Sequence, residues 1–139
     1  MECLYNMIYL ILSILLGIII GIEREWKQKP AGFKTHTFVA FSCCLLVSAS
    51  WQTFPILGDQ VARIIGHILA GIGFIGAGVI FREGKGGPVG VTTAAEIWCS
   101  SIVGILCAIK FWDYAVSLTA LVVGFQLLFS PIERKMGKQ

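Results

Sequence analysis

Charge is scarce in this sequence. Only 14% of its 139 residues are Asp, Glu, Lys or Arg, against 56% hydrophobic, and its mean hydropathy is +0.81. A soluble domain of this length cannot cover so much apolar surface with so few charges, so that class is excluded. The scarce charges also cluster: six fall in residues 23–34 and three in residues 134–138. Histidine is equally scarce, with only His36 and His67. No nucleophile, base and orienting group come together around either of them, which argues against an enzyme. The net charge of +3 calls for no nucleic-acid partner. No cofactor or metal centre is expected. The five cysteines, Cys3, Cys43, Cys44, Cys99 and Cys107, form no C-x-x-C pair. A disulfide framework or a zinc site uses other spacings, so they read as small apolar packing residues. A phosphate loop is also missing. Gly78 and Gly84-Lys85 are separated by five residues rather than four, and Gly86 stands where a Ser or Thr would hold magnesium.

What is present is a series of apolar runs near the ~20 residues that cross a bilayer. Five spans are predicted, at about residues 4–22, 37–53, 61–81, 92–109 and 111–130. No basic leader or A-x-A site precedes the first, so it is expected to be retained. The loop after span one carries Arg24, Lys27, Lys29 and Lys34; the loop after span three carries Arg82 and Lys85; Arg134, Lys135 and Lys138 follow span five. All fall on one side, and basic loops stay in the cytoplasm. The expected fold is an all-α integral membrane protein: a five-helix bundle, N-terminus out and C-terminus in, with residues 1–139 forming a single transmembrane domain. Nine residues follow Ser130, so no appended soluble domain is expected.

Span three, in "HILAGIGFIGAGVIFREG" (residues 67–84), is rich in glycine, the poorest ordinary helix former. In lipid no hydrophobic force pulls helices together, and small residues permit close backbone contact instead. Gly66, Ala70, Gly73 and Ala77 share one helical face, Gly71 and Gly78 an adjacent strip, and Gly17 and Gly21 form a GxxxG pair in span one. Span three is therefore expected to be a central helix with small faces toward two neighbours. Contact between copies, as in a homo-dimer, and a hinge are the other readings.

Ionisable residues inside spans are costly and are candidates for function. Glu96 lies in the first turns of span four. It is expected to face an inner vestibule, pair with a basic group, or sit as an interfacial carboxylate near a helix N-terminus. Arg63 and His67 stack four apart at the outer end of span three. Glu23, Arg24 and Glu25 sit where span one leaves the membrane, and their alternating signs suggest ion pairing across the cytoplasmic face. Trp26 reads as an interfacial anchor. In "REGKGGPVGVTTAAEIW" (residues 82–98) the Gly and Pro residues make a tight turn, and Thr92 or Thr93 can cap span four.

Three segments, "GIIIGIEREWKQKPAGFKTHT", "ARIIGHILAGIGFIGAGVIFREG" and "VGVTTAAEIWCSSIVGILCA", in this order within a five-span pattern, resemble the MgtC/SapB family of bacterial inner-membrane proteins. The resemblance implies a five-helix bundle and a link to growth under magnesium limitation and survival inside phagocytes. It also implies a membrane regulator that binds other membrane proteins, with the F-type ATP synthase a proposed target. Positions carried over are Glu23, Arg24, Glu25, Pro30, Gly32, Thr35, the span-three glycines, Arg82, Glu83, Gly84, Thr93, Ala94, Ala95 and Trp98. The chain looks like a short, membrane-only form, whereas longer members carry a soluble C-terminal domain. It departs from the family at Thr92, where the longer type carries asparagine, and at Glu96, where a small or uncharged residue is usual.

Two functional readings follow. In one the protein is a regulator in the bacterial inner membrane, bound to lipid, to a second copy and to another membrane complex. In the other it is a small-solute or magnesium carrier, with Glu96, Arg24 and Glu25 lining an inner site.

Overall fold

The computed structural model describes residues 2–53, 58–82 and 88–135. Five helices follow in order: α1 (Glu2–Trp26), α2 (Phe33–Thr53), α3 (Gly58–Val79), α4 (Val91–Ala108) and α5 (Trp112–Lys135). Between α3 and α4 lie two short antiparallel strands, β1 (Phe81–Arg82) and β2 (Pro88–Val89), which pair Phe81 with Val89 and Arg82 with Pro88. The sequence suggested only a turn here. The β-forming Phe81 and Val89 close it into a small clasp.

Each helix contains an apolar stretch of 18 to 21 residues, or roughly 27–32 Å at the helical rise of ~1.5 Å per residue. The protein is an all-α membrane protein. Its outer surface is a rind of large apolar side chains; Phe74, Leu127 and Leu128 are 85%, 62% and 63% exposed. Several hydroxyls within the spans are satisfied by their own helices. Ser13 donates to the Leu10 carbonyl at 2.7 Å, Ser50 to Leu46 at 2.7 Å and Thr119 to Ala115 at 2.9 Å. No bare polar group is thereby presented to hydrocarbon at these positions.

The helix at the centre is α4, not α3. It packs against all four other helices, whereas α3 packs mainly on α4 and, less closely, on α2. The glycine count of α3 misdirects the reading, because what matters is which glycine meets another backbone. Among the described residues, Gly66, Gly71, Gly73 and Gly78 have nothing within 4 Å of where a Cβ would stand. Only Gly76 of that run touches a neighbour, Ala94, at 3.4 Å. By contrast, a Cβ at Gly104 would overlap the Ala40 carbonyl, so α2 and α4 cross in backbone contact there. Gly17 and Gly21 serve the α1–α2 crossing: a Cβ on Gly17 would lie 2.8 Å from the Thr37 Cα, and one on Gly21 would overlap Phe33. Ser100, Ser101, Gly104 and Ala108, all buried, let α4 be approached from several sides.

Two helix ends share one device. After α1, the Gln28 amide donates to the Glu25 carbonyl and the Lys29 amide to the Arg24 carbonyl, each at 3.1 Å, with Gln28 left-handed at φ 52°. After α4, Lys110 donates to Cys107 at 3.1 Å and Phe111 to Leu106 at 2.9 Å, with Lys110 at φ 67°. Both are Schellman caps, with a side chain where glycine is usual. The left-handed region penalises a Cβ by roughly 1–2 kcal/mol. Gln28→Gly and Lys110→Gly should therefore each stabilise the protein, by about 0.5–1 kcal/mol once the extra freedom of glycine in the unfolded chain is subtracted. Thermal unfolding in detergent checks this; a fall in midpoint would contradict the cap assignment.

Candidate functional site

The charged end of the bundle is formed where α1 and α5 finish and α4 begins. Helix α1 continues to Trp26, so Glu23, Arg24 and Glu25 form its last turn rather than a loop. Successive helical residues point about 100° apart, and these three go to different places. Arg24 turns inward and is 6% exposed; Glu23 is 9% exposed; Glu25 is exposed and its carboxylate lies over Gly32 in the following turn.

Arg24 meets Glu96, which is 8% exposed in the second turn of α4. Its Nε lies 2.9 Å from Glu96 Oε2 as a charge contact, and its Nη1 donates to Glu96 Oε1 at 3.4 Å. Its Nη2 donates to the hydroxyl of Thr93, which is 1% exposed. One guanidinium thus binds two α4 side chains a turn apart. Neither charge could be held so far from water alone, since an isolated buried ion is penalised by several kcal/mol or more. Thr93 is thereby taken from capping. The N-cap of α4 is Gly90, at φ 92°, with no side-chain cap bond, and a Cβ there would overlap the Val79 carbonyl.

One turn deeper lies a pair that the sequence did not suggest. Ser100 Oγ donates to the Glu96 carbonyl at 3.1 Å, leaving lone pairs free to accept from His36 Nδ1 at 2.8 Å. Both side chains are fully buried. This network ties α2 to α4 as the Arg24 network ties α1 to α4. Toward α5, Lys27, the first residue after α1, contacts Glu23 of the last turn and donates to the Ser130 hydroxyl. Gln126 Nε2 donates to the Ile20 carbonyl at 3.2 Å, while its buried Oε1 has no hydrogen-bond partner among the described residues.

Beside these contacts a cleft of about 350 Å³ opens between α1, α4 and α5. Arg24, Glu96, Glu23, Lys27, Lys29 and Thr92 supply its charged and polar wall; Val122, Phe125 and Phe129 of α5 face them. Phe125 and Phe129 stack at 5.6 Å.

The sequence profile of the MgtC family matches residues 10–135, nearly the whole chain. The chain belongs to the MgtC family. It is 36% identical over 129 residues to Protein MgtC of Salmonella typhimurium (strain 14028s / SGSC 2262), covering 93% of this chain and 54% of that one. It is 37% identical over 121 residues to Protein MgtC of Brucella abortus (strain 2308), covering 86% of this chain and 49% of that one. The chain thus spans about half the length of the curated relatives it matches. No solved structure matches it.

This MgtC-family chain distributes the positions singled out from its sequence unevenly. Glu23, Arg24, Thr92 and Glu96 come together at the cleft; Thr93 joins them through Arg24. Trp98, 44% exposed, lies on the outer face of α4. Arg63 and His67 are exposed on α3, toward the opposite end. Arg82 has its backbone in β1, with its side chain outside the described residues, and Glu83 and Gly84 also lie outside them. The residues that sequence reading missed as part of this site are His36, Ser100, Lys29 and Gln126. Among the described residues no three His, Cys, Asp or Glu side chains come together as a metal site would require.

Proposed function

We propose that this MgtC-family chain is a regulatory interaction protein of the bacterial inner membrane, with its N-terminus outside and its charged end in the cytoplasm. It serves adaptation to magnesium limitation and membrane energetics by binding another membrane protein complex, for which the F-type ATP synthase is the candidate the family resemblance suggests, and it self-associates as a dimer. The observation that carries the reading is the open face of α3. Gly66, Ala70, Gly73 and Ala77 are exposed, and among the described residues the two glycines meet nothing within 4 Å of a Cβ position. Lipid-facing positions gain from large apolar side chains, as Leu127 and Leu128 show on α5, whereas a bare glycine face is suited to another helix. In this reading the chain is not an enzyme: the His36–Ser100 pair is fully sealed, so no substrate reaches it.

Photo-crosslinking in native membranes tests the proposal. A crosslinker at position 73 should capture a second polypeptide, either another copy or a distinct membrane protein, while one at position 127 should capture lipid alone. Lipid adducts alone at both positions would sink the reading. The carrier reading has one observation in its favour, that Glu96 lines the cleft. Against it, Arg24 already engages that carboxylate with both Nε and Nη1. Liposomes holding a magnesium-sensitive dye separate the two readings: the regulator gives no flux, and a carrier gives flux that Glu96→Gln abolishes.

A further inference from the structure

We propose that the cleft between α1, α4 and α5 is a binding site for a single anionic phospholipid. This goes beyond the regulatory reading and does not depend on the α3 face. Two features of the cleft carry it together.

The first is charge. Three cations, Arg24, Lys27 and Lys29, and two carboxylates, Glu23 and Glu96, line the cleft, an excess of one positive charge. Arg24 is matched by Glu96 and Lys27 by Glu23, whereas among the described residues Lys29 makes no ion pair. The left-handed turn at Gln28 folds Lys29 back over the end of α1, so an ammonium group without a counter-charge among the described residues is held at the cleft mouth. The second is polarity ordered by depth. Lys29, Thr92 and Ser130 mark the mouth, and Cys99 and Val122 line the inner part. Cys99 lies seven positions after Thr92, about 10 Å along a helix. A phosphate at the mouth therefore continues into an apolar channel walled by Phe125 and Phe129, as a glycerophospholipid is built. Basic pockets between helices are where anionic headgroups bind membrane proteins.

Native mass spectrometry on the full chain tests the site, with equal amounts of phosphatidylglycerol and phosphatidylcholine carrying the same acyl chains. The wild type should retain one phosphatidylglycerol about fivefold over phosphatidylcholine, the effect of one lysine beside an anionic lipid. Lys29→Gln should bring the ratio to about one, and Lys29→Arg should restore it. Among the described residues Lys29 makes no side-chain hydrogen bond or ion pair, so these variants should keep the fold, which their thermal midpoint checks. Ala95→Trp, which fills the cleft from an exposed position, should remove the bound lipid altogether. Equal retention of the two lipids by the wild type would overturn the proposal, as would a Lys29→Gln ratio unchanged from wild type. Displacement of the lipid by millimolar inorganic phosphate would reduce the site to a simple anion pocket. A second polypeptide captured by a crosslinker at position 125 would give the cleft to a protein instead.

Discussion

Arg24→Ala should destabilise the protein by about 3–5 kcal/mol, because it leaves the Glu96 carboxylate buried without its counter-charge. The two side chains are 7% and 10% exposed and meet at 2.9 Å, so little water is at hand to take over from the guanidinium. Loss of the Thr93 contact adds to the effect. The sign should reverse in the double variant Arg24→Leu/Glu96→Leu. With both charges gone and the volume roughly kept, stability should return to near wild type or above, since a buried pair is often no better than a well-packed apolar one. Denaturation by SDS in mixed micelles measures each corner of this cycle. A double variant as unstable as Arg24→Ala would mean that the network does more than neutralise itself, and equal stability of Arg24→Ala and wild type would mean that the pair is not buried in the membrane.

Gly104→Ala should cost about 2–3 kcal/mol, within the range for overpacking a tight core, although alanine is the better helix former. A single methyl group there overlaps the Ala40 carbonyl, and a backbone atom cannot rotate aside as a side-chain tip can. The α2–α4 crossing must widen, which also pulls His36 from Ser100, 2.8 Å away. Gly73→Ala is the control: with open space around it, its midpoint in purified protein should match or slightly exceed wild type. Similar losses at the two positions would refute the difference in packing drawn between α3 and α4.

That pair of glycines also shows how far a sequence can be read. Composition and spacing are enough for five apolar helices and a charged end, because a bilayer imposes length and polarity on each span separately. They are enough for the GxxxG pair of α1, whose partner helix follows after a short turn. They fail where the decisive contact is between distant segments. Gly104 stands alone in "IVGILCA", and nothing local says that it meets Ala40, whereas the glycine-dense α3 attracts attention and contacts little. Glu96 was legible as a residue in need of a partner, and Arg24 as a basic group on the same side. His36 and Ser100 were not legible at all: a histidine among threonines and a serine in a helix acquire meaning only when a crossing brings them together over 64 positions. Gln28 and Lys110 hid their turns by not being glycine.

The separation of Arg24 from Glu96 by 72 residues has a consequence for biosynthesis. At ~5–20 residues per second, α1 is made roughly 4–14 seconds before the residue that neutralises it. During that interval its guanidinium must remain at the headgroup level, where water and lipid phosphate can solvate it. Nascent α1 is thus held near the surface at its charged end, and it can settle to its final depth only when α4 arrives. A chain interrupted before α4 carries that cation without Glu96 and an incomplete bundle.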